Sequence, residues 1–343
     1  MFAMADFKRK PPSLMVRWVS CFLLDYVAPP IVRAVERAGR LDRPLWKWSD
    51  RHQTNLVRRN PFRGYAPGKQ DVFVMTYAKS GTNWVMQIVW QLIHHCQKDF
   101  DHIHSVVAWP DAVLNTRTMR NYAIPLDKAT GWRTAPERKR IIKTHLNWEL
   151  VPYSDQARYI AVLRDPKDVF VSSYIFIRDF FFGGAMPSVD AMCRSFVAGK
   201  ALTGSWAANA AGYWAQRHRP NVLVLSFASM KRDLEGTVRL IAGFLDIHVS
   251  DEIIQEVCRR SSFEYMKNID ERFAPYRGAP WRKRGRMMRS GQQGRSSELL
   301  SAEQQEQIDA SCIAELQREG SDLPYDQICG RTEGIAYESR TGT

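Results

Sequence analysis

Apolar residues fall in short unbroken runs, each closed by a polar or glycine-bearing turn. "DVFVMT" at 71–76 is one run, "RIIKTH" at 140–145 a second, "RYIAVLR" at 158–164 a third and "NVLVLSF" at 221–227 a fourth. Runs of this length, rich in valine and isoleucine, predict buried strands. Behind the first, Trp84, Val85, Ile88, Val89, Leu92 and Ile93 recur at helical spacing. Behind the third, "DPKDVFVSSYIFIRDF" offers Asp165 as a cap, Pro166 at the first helical position and Asp168 in the first turn. The fourth leads into "LEGTVRLIAGFL", another helical pattern. Strands alternating with helices predict an α/β fold, a three-layer sandwich with a central parallel sheet and helices on both faces.

The N-terminal stretch "SLMVRWVSCFLLDYVAPPIV" is apolar but interrupted by Arg17, Asp25 and Pro29–Pro30. It reads as too short and too broken to span a membrane, and it lacks the small-residue cleavage site of a secretory signal. An amphipathic helix packed on the body is expected, with weak contact to a membrane surface as the sharper reading. The expected organisation is a helical extension over 1–60, a single large domain over 61–325 and a tail over 326–343. No repeat, low-complexity segment or linker divides the chain.

Composition narrows the partners. The 343 residues carry a formal net charge of +13, which points to an anionic partner. No nucleic-acid-binding motif accompanies it, so a polyanionic small molecule is expected and nucleic acid is not. The six cysteines are scattered without a C-x-x-C pair, as in a reduced, cytoplasmic protein. The histidines of "HHCQKDFDHIH" at 94–104 have no carboxylate or cysteine spacing that fixes a metal geometry. No metal is expected.

The chemistry lies at the strand ends. "MTYAKSGTNW" at 75–84 holds Lys79, Ser80, Gly81 and Thr82 between a strand and a helix, the geometry of an anion-binding loop. Its order is not the G-x-x-x-x-G-K-[ST] of nucleotide-triphosphate loops. Lys143 and His145 end the second strand; Arg164 ends the third and Ser172 follows on its helix. In a parallel sheet these ends share one edge, so two lysines, an arginine and a histidine converge on a multiply charged anion with one titratable base. The aromatics Phe180–Phe182 fit either the core or an acceptor pocket. The basic run at 277–289 reads as a lid over the site.

The order of segments resembles the PAPS-dependent sulfotransferases of the cytosolic type. "TYAKSGTNW" is similar to that family's T-Y-P-K-S-G-T-T-W loop, "RIIKTHL" to its K-T-H-L segment and "VLRDPKDVFVSSYIF" to its R-N-x-K-D-V-x-V-S-x-Y stretch. "SSFEYMK" and "MMRSGQQG" resemble its T-S-F-x-x-M-K and R-K-G-x-x-G segments. The resemblance covers about residues 60–320 and implies a P-loop-like fold and sulfuryl transfer from 3′-phosphoadenylyl sulfate (PAPS) to a small, hydrophobic acceptor. It implies His145 as general base, with Lys79 and Lys143 stabilising charge. Cofactor contacts would come from Lys79, Ser80, Gly81, Thr82, Asn83, Trp84, Arg164, Ser172, Phe227, Ser261, Phe263, Arg289, Ser290 and Gly291, with Trp84 and Phe263 sandwiching adenine. Two lysines can supply the positive charge that magnesium supplies in kinases.

Departures from the family pattern are specific. Ser290 stands where the family has lysine, Arg295–Ser296 where it has D-W, and Phe227 where it has tyrosine. "SELLSAEQQE" at 297–306 does not match the family's dimer motif. Two other functions stay open on the sequence: a non-catalytic PAP- or anion-binding protein of the same fold, and a P-loop kinase.

Overall fold

Each expected strand forms within a residue or two of its run. In this computed structural model, which describes residues 12–112, 122–276, 279–283, 285–289, 291–292 and 294–332, β1 is Asp71–Thr76, β2 Arg140–Thr144, β3 Arg158–Leu163 and β4 Val222–Ser226. They pair in parallel in the order β2-β1-β3-β4. Alternation sends successive side chains to opposite faces. Phe73, Met75, Tyr159 and Ala161 join one apolar core, with the helices Pro166–Ile177, Trp206–Trp214 and Ala302–Arg318 over it. Val72, Val74, Ile160 and Val162 join the other, under Thr82–Ile93, Leu234–Phe244 and Asp251–Arg260. Both faces are therefore covered, which is why the strands read as unbroken apolar runs.

The amino ends of the strands are tied separately. Asp71, fully buried, accepts two bonds from the Arg140 guanidinium (2.9 and 2.7 Å), one from the Gly68 N–H (2.9 Å) and one from the Tyr65 hydroxyl. This latch joins β1 to β2 at the edge opposite the candidate chemistry.

The N-terminal stretch departs from expectation. Leu14–Arg37 is one continuous helix, long and apolar enough by length and composition to cross a membrane. Pro29 and Pro30 do not break it. A π-helical turn at Leu23–Val27 restarts the helix at Ala28, so both prolines sit in a first turn, where a missing N–H costs nothing. A second helix, Asp42–Arg58, crosses to the body and bonds to it through Ser49 and the Ala201 carbonyl (2.8 Å). At the other end Ile328 is buried and Arg331 is ion-paired with Asp309, so packed structure runs at least that far.

Candidate functional site

The loop after β1 turns on two left-handed residues, Lys79 (φ 71°) and Gly81 (φ 103°). Glycine is needed at 81: a Cβ there would meet the Phe227 ring at 2.9 Å. Lysine at a positive φ is strained, and the fold holds it there by donating from the Arg164 Nη1–H to the Lys79 carbonyl (2.9 Å). The helix Thr82–Ile93 starts at Gly81 without a side-chain cap, so the positive end of its dipole faces the loop.

Lys79 and Lys143 both rest on aromatic faces. Lys79 Nζ lies 4.2 Å from the centroid of Phe176, and Lys143 Nζ lies 3.4 Å from that of Trp109. Burial, and then Arg164, brings the Lys79 ammonium down to about 8. Burial dominates at Lys143 too and brings it to about 7, while Asp111 pulls it back up.

His145 is held by its ring nitrogen. Nδ1 lies 2.8 Å from the Thr76 carbonyl, which can only accept, so Nδ1 carries the proton and Nε2 the lone pair. Thr76 and Thr82 share a hydroxyl bond (2.6 Å), and the Thr76 hydroxyl also lies 3.3 Å from Nδ1. Burial first, and the Lys143 charge second, hold the imidazole down at about 3, so it is neutral at physiological pH. Its backbone N–H donates to Asp111 Oδ2 (2.8 Å).

Across the edge, Arg164 reaches Asp168 (3.6 Å) and lies 4.4 Å over the Phe227 ring. Phe227 also meets Trp84 edge-on at 5.4 Å, and the Trp84 Nε1–H donates to the Ser261 carbonyl (2.8 Å). Gly291 (φ 62°) lies against Phe263, where a Cβ would run into the ring. The Gly294 N–H donates to Asp168 (3.1 Å), bringing the late loop onto the helix Pro166–Ile177. Three buried polar atoms here have no protein partner: Ser80 Oγ, Ser261 Oγ and Arg164 Nε. Each would cost about 1–3 kcal/mol if left unbonded. Three together beside an anion-binding loop fit a ligand rich in acceptor oxygens.

The profile of the sulfotransferase domain matches residues 69–320, most of the chain. The chain belongs to the sulfotransferase family. The luciferin sulfotransferase of Photinus pyralis is 31% identical over 212 residues, covering 58% of this chain and 57% of that protein. Sulfotransferase 2A1 of Macaca fascicularis is 31% identical over 201 residues, covering 58% of this chain and 67% of that one. The aligned region thus spans about 57% to 67% of these relatives. Among solved structures, retinol dehydratase in complex with retinol and PAP shares the fold, with a TM-score of 0.64 and 23% identity over 78% of this chain and 87% of that one.

In this sulfotransferase the expected residues sit as follows. Lys79, Ser80, Gly81, Thr82, Lys143, His145 and Arg164 occupy one sheet edge, with Trp84, Phe227, Ser261 and Phe263 beside them. Asn83 and Ser172 lie half-buried on the two helices that flank the edge. The Thr82 hydroxyl shares a hydrogen bond with that of Thr76 (2.6 Å), which ties the helix start back to the end of β1. Trp84 meets Phe227 edge-on. Arg289 is ion-paired with Glu298, as is Arg295 (3.7 Å). Ser290 lies outside the described residues. Trp109, Asp111, Thr76 and Phe176 were not singled out from sequence. The first two arrive because Ala108 bridges Ile142 and its carbonyl accepts from the Lys143 N–H (2.8 Å), laying "AWPD" along β2. No local pattern announces them, because the next strand in the chain, β2, begins only at Arg140. The histidines at 94–104 scatter: His94 bonds to the Trp90 carbonyl, His95 pairs with Glu137 and His102 bonds to the Ala274 carbonyl.

Proposed function

We propose that this chain moves the sulfuryl group of PAPS to a hydroxyl or amine of a small, apolar acceptor, with His145 as general base. One observation carries the reading. The Thr76 carbonyl commits His145 Nδ1, leaving a lone pair on Nε2 beside two ammonium groups. When bound, PAPS supplies an activated sulfuryl group. Ser80, Ser261 and Arg164 have the unpartnered donors to hold its phosphates, and Gly81 and Gly291 keep the backbone close. His145 Nε2 takes the proton from the acceptor. Lys79 faces charge growing on the departing oxygen and Lys143 the charge on the sulfuryl oxygens. We assign the cationic role to these two lysines, without a metal ion. The half-exposed aromatic segment at Phe180–Phe182 and the faces of Phe176 and Trp109 suit an apolar acceptor, and the retinol and PAP bound by the structural neighbour support that class. All six cysteines are free, four of them buried, and we place the chain in the cytoplasm.

The Arg289–Glu298 pair, which occupies an arginine of the late loop, favours one rival: a PAP-binding protein without transfer. Single-turnover transfer from labelled PAPS to a panel of phenols, alcohols and amines separates the two. His145→Ala should slow transfer by about 10² to 10⁴-fold while PAP affinity stays within a few-fold. PAP binding with no transfer to any acceptor, or transfer indifferent to His145→Ala, would overturn the assignment.

A further inference from the structure

The helix Leu14–Arg37 turns an apolar stripe away from the protein. Met15, Trp18, Val19, Phe22 and Tyr26 follow one another at helical spacing, and all are exposed; Met15 keeps 74% of its surface, Phe22 52% and Tyr26 60%. Leu14, Leu23 and Val27 widen the stripe. Two residues of the body extend it. Trp281 is exposed with its ring 6.4 Å from that of Trp18, and Phe182 is exposed beside the loop that the helix touches.

The flank of the helix beside the stripe is pinned to the body. Asp25, near its middle, pairs with the Arg282 guanidinium (2.8 and 2.9 Å) and accepts from the Trp281 Nε1–H (3.0 Å) and the Gly184 N–H (3.2 Å). Further on, Glu36 accepts from the Ser188 N–H (3.3 Å). A helix held at its midpoint and near its end lies along the body. It cannot stand across a bilayer without breaking these bonds.

Charge selects the occupant. The first 60 residues hold twelve lysines and arginines against five carboxylates. Four of those carboxylates are engaged by the body: Asp25 and Glu36 as above, Asp42 by Arg194 (2.7 Å) and Asp50 by Lys200 (2.6 Å). Arg33, Arg37, Arg40, Arg43, Lys47 and Arg51 remain at the surface. A second copy would bring one basic segment against another. A bilayer with anionic headgroups satisfies the stripe and the arginines together, and tryptophan and tyrosine suit the headgroup boundary.

We propose that this face docks on an anionic lipid bilayer, with the helix Leu14–Arg37 lying in the plane of the interface. The contacts continue inward. Arg282 donates to the Phe181 carbonyl (3.1 Å), Phe181 packs on Phe176 (5.4 Å), and Phe176 lies under Lys79. The aromatic segment at 176–182 therefore lies between the bilayer and the catalytic loop.

Co-sedimentation of the full chain with phosphatidylcholine vesicles, with and without phosphatidylserine, tests this without any turnover. The chain should pellet with the anionic vesicles, release as salt rises, and bind neutral ones weakly. Phe22→Asp should lower partitioning by about tenfold or more. The triple variant Arg33→Gln, Arg37→Gln, Arg40→Gln should lower it by a similar factor on anionic vesicles alone. PAP binding, unchanged in both, would certify the fold. Absence of vesicle binding, or binding indifferent to Phe22→Asp, would overturn the proposal. So would light scattering that finds a dimer which Phe22→Asp dissociates.

Discussion

The imidazole of His145 has one nitrogen committed before any substrate arrives, and the commitment comes from backbone. Asp111 acts on the same residue from the other side. Its Oδ2 accepts the His145 N–H while Oδ1 has no partner, and its charge lifts the Lys143 ammonium. Burial raises the Asp111 carboxyl itself. Asp111 touches neither proton nor leaving group in the proposed reaction, so it is a positioning residue. Asp111→Asn keeps the shape and removes the charge. Lys143 then loses its proton at lower pH, and the alkaline limb of the kcat/KM profile moves to lower pH. At pH 8 the rate should fall about tenfold, less than the ~10² to 10³ expected when a group contacting the reacting atoms is lost. A uniform drop with an unmoved limb would mean that Asp111 serves only structure.

At the scale of the element, the loop between β1 and the helix Thr82–Ile93, which we propose as the anion site, carries backbone strain before any ligand arrives. Its lysine sits at a positive φ, and its neighbour across the sheet shares the same buried cationic space. Lys79 at about 8 and Lys143 at about 7 are both lowered from the usual lysine range, chiefly by burial. A bound polyanion favours the charged form of each and raises both. Below pH 6 both ammoniums are already protonated and binding takes up no proton. Near pH 8 binding must draw protons in, so PAP affinity weakens as pH rises through this range. Calorimetric titration with PAP in buffers of different ionisation enthalpy reads the uptake directly. Heats independent of buffer at pH 8 would show that the lysines are charged without the ligand.

Across the whole molecule, the two ends of the sheet are divided in purpose. The carboxyl edge carries unpartnered donors and strain, while the amino edge carries the Tyr65–Asp71–Arg140 latch. Arg140→Leu leaves Asp71 buried without its cation and should cost about 3–5 kcal/mol in urea unfolding. PAP affinity of the folded protein should not change, because the latch lies at the far edge; a parallel loss of affinity would contradict that separation. The sequence alone determined the strands, the flanking helices and the consecutive groups Lys79–Gly81, Lys143–His145 and Arg164, because strand burial and loop chemistry are written in neighbouring residues. Only tertiary structure decided the tautomer of His145, the arrival of Trp109 and Asp111, the engagement of Thr82 and the packing of Phe227 under Arg164. All but the Thr76–Thr82 bond, which closes within one strand–loop–helix unit, depend on a contact between segments far apart in the chain, which local pattern does not encode. The same holds for the N-terminal helix. Its apolar pattern was legible, but its continuity through Pro29–Pro30 and its outward stripe followed from a π-helical turn and from the ion pair that fixes Asp25 to Arg282.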